Sequence, residues 1–215
     1  MKKLFIALFI VLAGLGTLGA QEHSAYSVTT DFTYASKYVF RGTQYAAQSL
    51  QPSVTLEVKD MYLGVWANQP TARGSDNEID VNAGYRYQID DTISLDVGAT
   101  AYTYPTIHDH TTEGYVGANV TFGSLEFGVY AYRDFDLNTT TIQESISYEV
   151  ELSKRVSLEL SGAYGRIRDN LTYWSYGAAL PVKLSDKLTA TVGAQRASDS
   201  TVNTTWYTTG VTYRY

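Results

Sequence analysis

Charged side chains recur at every second position along several stretches of the chain. Glu78, Asp80 and Arg86, for example, share one parity within a single stretch. Because alternate residues of a β-strand point to the same side, such a set would lie on one face of a strand. Charges that ring a narrow pore select ions by their sign, so the spacing predicts a charged lumen. The expected lumen and selectivity residues are Asp31, Lys37, Arg41, Glu57, Glu78, Asp80, Arg86, Asp96, Glu113 and Trp206.

The inferred lumen face carries more acidic than basic side chains, which predicts a mild cation preference. Its further members are Lys59, Glu126, Glu149, Glu151, Glu159 and Arg214, which bring the balance to ten acidic against five basic residues. The residues expected to narrow the lumen are Lys37, Arg41 and Arg86 together with Glu78 and Asp80. Alternatively, these charges pair with each other and plug the barrel, since side chains fill barrels of about eight strands.

A second candidate for chemistry is the His108-Asp109-His110 segment, in a polar connection expected at about 105–111. A His-x-His pair can ligate a metal, but no third ligand stands at an obvious spacing. The chain also has no Gly-x-Ser-x-Gly nucleophile motif. We therefore expect neither a metal, a cofactor nor enzymatic activity, and His108 and His110 remain weak metal candidates.

The elements that must position these charges are long alternating strands, and the clearest is residues 26–41. Its even positions are largely aromatic or aliphatic, from Tyr26 to Tyr38 and Phe40, and its odd positions are polar. Strands of soluble proteins usually have about 5–6 residues. Sixteen alternating residues favour a strand that crosses a bilayer obliquely, with the even positions facing lipid and the odd ones facing the lumen.

The same alternation continues to the end of the chain and predicts an all-β fold, a closed antiparallel transmembrane β-barrel with an up-and-down meander. We expect about twelve strands, with ten as the alternative if residues 61–69 or one hairpin are misassigned. Short turns near 60, 90, 123, 154 and 185 alternate with longer polar connections, as in outer-membrane barrels. The longer connections are expected near 43–50, 70–77, 105–111, 134–140, 167–172 and 197–203. The predicted strands are 26–41, 51–59, 61–69, 78–88, 93–104, 113–122, 125–133, 141–152, 156–166, 173–182, 188–195 and 204–215.

The N-terminus has the features of a secretory signal peptide. Lys2 and Lys3 precede an apolar run, and small residues up to Ala20 offer a cleavage site. We therefore expect residues 1–20 to be removed and residues 21–215 to form one barrel domain. The remaining chain would have 14 basic against 22 acidic residues, which argues against a nucleic-acid partner. Nineteen tyrosines against seven phenylalanines suit a membrane–water boundary.

Several segments resemble the TorF family of putative porins, which are small Gram-negative outer-membrane proteins. The resemblance rests on SKYVFRG (residues 36–42), Gln44, Pro52, MYLGVWANQ (61–69) and EIDVNAGYRY (78–87). Membership would imply a porin-like or solute-transport role.

The function expected from these features is passive diffusion of small polar solutes or ions through a bacterial outer-membrane channel. The alternative is a structural or loop-displaying barrel with a plugged lumen and no transport. Expected partners are outer-membrane lipid, small solutes and the barrel assembly machinery, which would recognise the C-terminal strand ending at Tyr215. Of the three tryptophans, Trp206 falls on the lumen parity near a rim, where it could contact a ligand.

Overall fold

A computed structural model describes residues 26–72, 74–168 and 171–215. The predicted signal peptide, residues 1–20, lies outside them. No helix in these three ranges is long and apolar enough to cross a membrane. The strands are β1 Tyr26–Ala35, β2 Tyr38–Phe40, β3 Thr43–Ala46, β4 Ser49–Val58, β5 Met61–Pro70, β6 Glu78–Gln88, β7 Ile93–Tyr104, β8 Asp109–Phe122, β9 Leu125–Asp134, β10 Thr139–Glu151, β11 Ser157–Ile167, β12 Leu171–Lys183, β13 Leu188–Ser198 and β14 Asn203–Arg214.

Twelve of these strands form one closed antiparallel barrel. Strands β4 to β14 follow each other around the wall, and β1 closes it by pairing with both β4 and β14. The closure is completed by the backbones of Val28 and Tyr215, which exchange hydrogen bonds of 3.2 and 2.8 Å. The predicted meander barrel and its twelve strands are confirmed, and the ten-stranded alternative is wrong. Strands β2 and β3 pair only with each other and form a separate hairpin.

The barrel is apolar outside and polar inside, the reverse of a soluble domain. Its outer wall exposes large apolar side chains such as Val116 at 57% and Phe122 at 62%. The largest fully buried side chains among the described residues are polar, namely Asn68, Thr141 and Ser49. A continuous apolar exterior of this kind would aggregate in water, whereas a closed sheet leaves no unpaired edge in hydrocarbon. The predicted outward orientation of the apolar face is confirmed, and the barrel belongs in the bacterial outer membrane.

The two rims of the barrel differ in how their strands are connected. The terminal rim holds Tyr26, Tyr215 and tight turns such as those at 59–60 and 123–124. The loop rim holds the connections 36–48 and 71–77, but its other connections are short. The predicted long connections at 105–111 and 134–140 are therefore wrong, because the strand ladders continue further than side-chain polarity suggests. Backbone pairs such as Tyr104 with Asp109 still form where the side chains are polar.

The first barrel strand ends at Ala35, six residues before the predicted end at Arg41. At Ser36 the chain leaves the wall, and the Ser36 hydroxyl accepts the Tyr207 backbone N–H at 2.9 Å in place of a strand partner. On the other side, Ala35 pairs directly with Ser49 of β4, so the ladder closes without the intervening residues. Residues 36–48, which we call the inward hairpin, are thus free to fold into the lumen.

Candidate functional site: the lumen and its inward hairpin

The inward hairpin turns tightly at Arg41 and Gly42, between the paired residues Phe40 and Thr43. Both turn residues have positive φ angles, 46° and 83°. A two-residue turn of type I′ requires this conformation at both central positions, and glycine adopts it without steric penalty. The sequence thus builds a sharp tip that carries the Arg41 side chain into the middle of the barrel.

A charge pair attaches the hairpin tip to the barrel wall. The Arg41 guanidinium donates two hydrogen bonds of 2.8 Å to the two carboxylate oxygens of Glu113 on β8. The side chains are 16% and 3% exposed, and Tyr102 donates a third hydrogen bond to Glu113 at 3.1 Å. The guanidinium also lies 4.7 Å from the Tyr132 ring centroid. Two-pronged pairing of a guanidinium with a carboxylate is directional and strong, so it fixes the hairpin in one position.

The tip also reaches the opposite wall of the barrel. Gly42 is packed so closely that a Cβ atom there would lie 2.6 Å from the Ser198 carbonyl oxygen and 2.8 Å from the Tyr173 Cβ. Next to it, the Thr43 hydroxyl donates to Asp199 at 3.4 Å. Hydrogen bonds, above all from the Thr201 side chain, lower the pKa of Asp199 to about 2, so this loop carboxylate stays charged at neutral pH. The hairpin therefore crosses the lumen from one wall to the other.

The predicted lipid-facing positions Tyr38 and Phe40 point into the lumen instead. Tyr38 is buried, with its ring centroid 5.4 Å from that of Trp66 on β5. Phe40 lies 6.2 Å from Tyr102 on β7. The prediction that these aromatics border the lipid face is wrong, because the change of direction at Ser36 resets which side of the chain faces inward.

Beneath the hairpin, the carboxylate of Asp96 joins two tyrosines of the wall, and one of these bonds to a third. Asp96 is buried and accepts hydrogen bonds from Tyr62 at 2.8 Å and from Tyr130 at 3.1 Å. Tyr62 also bonds to Tyr115, and Asn119 donates to Tyr130 at 2.8 Å. These bonds satisfy both oxygens of Asp96 and hold the rings in place.

The tyrosine rings lie against the wall rather than across the lumen, because glycines make room for them. A Cβ atom on Gly84 would collide with the ring of Tyr62, and one on Gly117 would collide with that of Tyr130. Cross-strand glycines thus let bulky side chains flatten onto the sheet. We call this side of the lumen, from β5 to β9, the aromatic wall.

The middle of the far side of the lumen is lined by small residues, and we call this side the small-residue wall. From β10 to β13 the lumen parity holds Ser145, Ser161, Gly177 and Gly193, so this wall stands back from the axis. Larger residues that share its parity include Glu149, Glu159, Tyr173 and Gln195. The lumen is therefore asymmetric, and its open space can lie away from the barrel axis, towards the small residues.

Three cavities show that side chains do not fill the lumen. One of about 190 Å³ lies at the loop-rim side and is lined by the hairpin, Glu78 and Glu113. A second of about 570 Å³ lies along the aromatic wall, between the hairpin and residues such as Glu57 and Arg86. A third of about 450 Å³ lies towards the terminal rim on the small-residue side and includes Glu149.

The family model that matches the chain covers residues 19–214 and describes bacterial proteins of unknown function, Gcw_chp. The chain belongs to the Gcw_chp family. The description of this family does not include the name TorF, which the resemblance had suggested. No curated protein matches the chain.

Solved outer-membrane barrels share the fold of this Gcw_chp protein. KdgM porin aligns with a TM-score of 0.63 at 15% identity, over 86% of this chain and 98% of that one. NanC porin aligns with a TM-score of 0.64 at 10% identity, over 86% and 98%. The COG4313 outer membrane channel from Pseudomonas putida F1 aligns with a TM-score of 0.54 at 8% identity, over 93% and 98%. At these identities the likeness establishes the fold.

The charges that were expected to narrow the lumen are distributed over two cavities, with Arg41 and Glu78 lining the first and Asp80 and Arg86 lining the second. Arg41 forms its ion pair with Glu113, which was not among the five residues expected to narrow the lumen. Arg86 lies 3.9 Å from Glu57 instead. Distant partners are set by how the hairpin folds across the lumen, which strand alternation does not encode.

Three further residues that were predicted to line the lumen lie apart from these cavities. Asp31 lies on β1 and accepts hydrogen bonds from Thr33 at 2.7 Å and Thr212 at 2.8 Å. Lys37 lies in the bend between β1 and β2, outside the barrel strand on which it was expected. Trp206 has the lumen parity on β14, opposite Gln195 and across the barrel from the aromatic wall.

Several aromatic residues line the lumen although the sequence pattern did not predict them there. Trp66, Tyr130 and Tyr132 line the second cavity, and none of them was among the expected lumen residues. A signal was available for Tyr102 and Tyr115, which share the parity of charged residues on their strands. Aromatic rings on a polar parity indicate lumen contacts rather than lipid contacts.

The histidines do not come together with other ligands. His108 sits in a turn with a φ of 57°, while Asp109 and His110 belong to β8 rather than to a long loop. Within residues 26–72, 74–168 and 171–215, no group of three or more His, Cys, Asp or Glu side chains is placed to hold a metal ion.

Proposed function

We propose that the protein is an outer-membrane channel for passive diffusion of small polar solutes or ions, narrowed by the inward hairpin. The observation that carries this proposal is a polar lumen with unfilled cavities of about 570 and 450 Å³ on either side of the barrel. A twelve-stranded barrel lies between the filled eight-stranded barrels and the wide porins of 16–18 strands. The loop rim, with the longer connections, would face the outside of the cell.

We further propose a mild preference for cations. The cavity towards the terminal rim is lined by Glu126, Glu149 and Glu159, and no Lys or Arg lines it among the described residues. Glu149 and Glu159 stand directly opposite each other on adjacent strands. Carboxylates in a narrow passage raise the local concentration of cations and repel anions.

Because its lumen is acidic, we expect this protein to take a different solute from the one bound by one structural neighbour. KdgM porin has been solved in complex with disordered oligogalacturonate, which is a polyanion. The carboxylates at Glu126, Glu149 and Glu159 would repel a polyanion. We therefore propose small neutral or cationic solutes for this chain.

A plugged barrel without transport is the second candidate, and one observation favours it. The hairpin contacts both walls, through Glu113 on one side and Ser198 on the other. Conduction then requires that solutes pass beside the hairpin, along the small-residue wall.

The experiment that tests the channel is recording of the zero-current potential across planar bilayers under a KCl gradient. We expect discrete conductance steps and a potential whose sign shows that K⁺ is more permeant than Cl⁻. The Glu126→Gln/Glu149→Gln/Glu159→Gln variant should shift the potential towards non-selectivity, while the Asp31→Asn variant, a carboxylate outside that cavity, should shift it less. Absence of conductance steps at every salt concentration would leave the plugged barrel as the function.

Three expectations from the sequence remain proposals: a signal peptide cleaved near residue 20, recognition of the last strand by the assembly machinery, and the absence of enzymatic activity. The first is checked by N-terminal sequencing of protein recovered from outer membranes.

A further inference from the structure

The 570 Å³ cavity, which we call the aromatic chamber, has a lining unlike that of a general aqueous passage. Eight of its fifteen lining residues are aromatic. They come from the hairpin as well as from the wall, so the chamber exists only when the hairpin is folded inward. Small-molecule sites typically combine apolar and aromatic surface with a few placed polar groups.

A carboxylate stands in the middle of these rings. Asp80 on β6 lies directly opposite Trp66 on β5 and directly opposite Tyr102 on β7. Directly opposed side chains on neighbouring strands have their Cβ atoms about 4.5–5.5 Å apart. Tyr38 of the hairpin covers the group from the lumen side, 5.4 Å from the Trp66 ring. Asp80 therefore lies between the strand positions of Trp66 and Tyr102. Tyr38 lies beside Trp66, and Glu78 is next to Asp80 on the same face of β6.

The Asp80 carboxylate lacks a complete set of partners. Its Oδ1 atom is buried and has no hydrogen-bond partner among the described residues. In contrast, both oxygens of Asp96 in the same chamber accept tyrosine hydroxyls. A buried carboxylate oxygen without a partner is unfavourable, and a bound cation would supply the missing interaction.

The charge balance of the chamber also favours a cation. Glu57, Asp80 and Asp96 line it together with a single basic residue, Arg86. The Arg86 guanidinium lies 3.9 Å from Glu57 and 5.5 Å from the Tyr62 ring centroid, towards the terminal rim. Arg86 therefore does not pair with Asp80, whose neighbour on the same face of β6 is a second carboxylate, Glu78.

We propose that the aromatic chamber binds a small organic cation with an alkylated ammonium group, its charge on Asp80 and its alkyl groups against Trp66, Tyr102 and Tyr38. Aromatic faces attract such cations, which lose little hydration on entering an apolar cage, whereas a metal ion would lose much more. This inference rests on the proposed function, because the ligand reaches the chamber through the lumen. Such a site would make the protein selective for alkylated ammonium compounds and not only for positive charge.

The test is isothermal titration calorimetry on the full-length folded protein, with choline as the probe. The comparison ligand is the uncharged carbon analogue of choline, in which carbon replaces the quaternary nitrogen. We expect choline to bind at least about tenfold more tightly than this analogue, the difference that one favourable buried cation–π and charge interaction produces. Equal binding of the two ligands would overturn the proposal.

Three variants locate the site. Asp80→Asn and Trp66→Leu should each weaken choline binding about tenfold or more. Glu149→Gln removes a lumen carboxylate outside the chamber and should leave the affinity unchanged. If Asp80→Asn and Glu149→Gln weaken binding equally, choline is attracted only by the overall acidity of the lumen and the chamber is not a site. If the Asp80→Asn variant fails to fold, the choline affinity of the Trp66→Leu variant still tests the site.

Calorimetry tests the binding site and conductance tests the channel, so either proposal can be rejected while the other is retained. Choline binding without conductance steps would retain the site and reject the channel. Conductance steps without choline binding would retain the channel and reject the site.

Discussion

Replacing residues 37–47 with a short Gly-Ser turn is expected to increase the single-channel conductance several-fold. The inward hairpin spans the lumen from Glu113 to Ser198, so its removal widens the narrowest part of the passage. The barrel wall should survive, because Ala35 and Ser49 pair directly and a tight turn can join the two strands beyond them. The measurement is planar-bilayer recording in symmetric KCl, next to the wild-type protein.

The matched control for this deletion shortens another connection on the same rim. Residues 105–108 join Tyr104 and Asp109, which also pair directly, and can be replaced by an Asn-Gly turn. This variant should conduct like the wild type, since residues 105–108 line none of the three cavities. Equal conductance of the hairpin deletion and the wild type would place the constriction elsewhere.

Substituting Glu113→Ala is expected to destabilise the folded protein more than substituting Arg41→Ala and Glu113→Ala together. The single variant leaves the Arg41 guanidinium, only 16% exposed, without its two hydrogen-bond acceptors. Removing one partner from a buried ion pair costs about 3–5 kcal/mol, and the cost falls when both charges are removed. Because the hairpin can move to place Arg41 in lumen water, part of this effect should appear as a larger and noisier open-channel current.

The measurement is the free energy of unfolding in urea, together with single-channel recording. Glu126→Ala serves as the control, since Glu126 also faces the lumen but lines the cavity away from the hairpin. We expect its stability and current noise to match the wild type. If the single and double variants proved equally stable, the Arg41–Glu113 pair would contribute no net attachment of the hairpin.

The barrel itself could be predicted from the sequence because one physical rule governs every strand. A strand between lipid and a wet lumen must alternate, and its backbone must pair on both sides, so period-two patterns identify the strands and their facing. The strand Glu78–Gln88 was predicted with the bounds that the structure shows. The lipid-facing position of Phe32, which is 46% exposed, follows from the same rule.

The inward hairpin could not be predicted, because alternation continues through it. Tyr38 and Phe40 keep the parity of Phe32, so nothing in the period marks Ser36 as the point where the chain leaves the wall. The available signal is Arg41-Gly42, since glycine at the second position of a two-residue turn favours a hairpin. The attachment to Glu113, 72 residues further along the chain, depends on tertiary structure alone.

The structure also changes how selectivity is understood. The sequence suggested rings of charge, and several of those charges are indeed occupied by partners, as Asp96 is by two tyrosines. The asymmetry between an aromatic wall and a small-residue wall arises from residues that carry no charge. Selection by this lumen is therefore expected to depend on shape and on ring contacts as well as on sign.

The inward hairpin is expected to lie in the permeation path, and a cysteine at its tip tests this most directly. The chain has no native cysteine, so Thr43→Cys provides a unique attachment point beside the 190 Å³ cavity. We predict that a small thiol-reactive reagent carrying a trimethylammonium group, measured after the unreacted reagent has been washed out, will lower the single-channel conductance of Thr43→Cys and leave the wild type unchanged. Complete modification of Cys, verified by mass spectrometry, without a change in conductance would contradict the account.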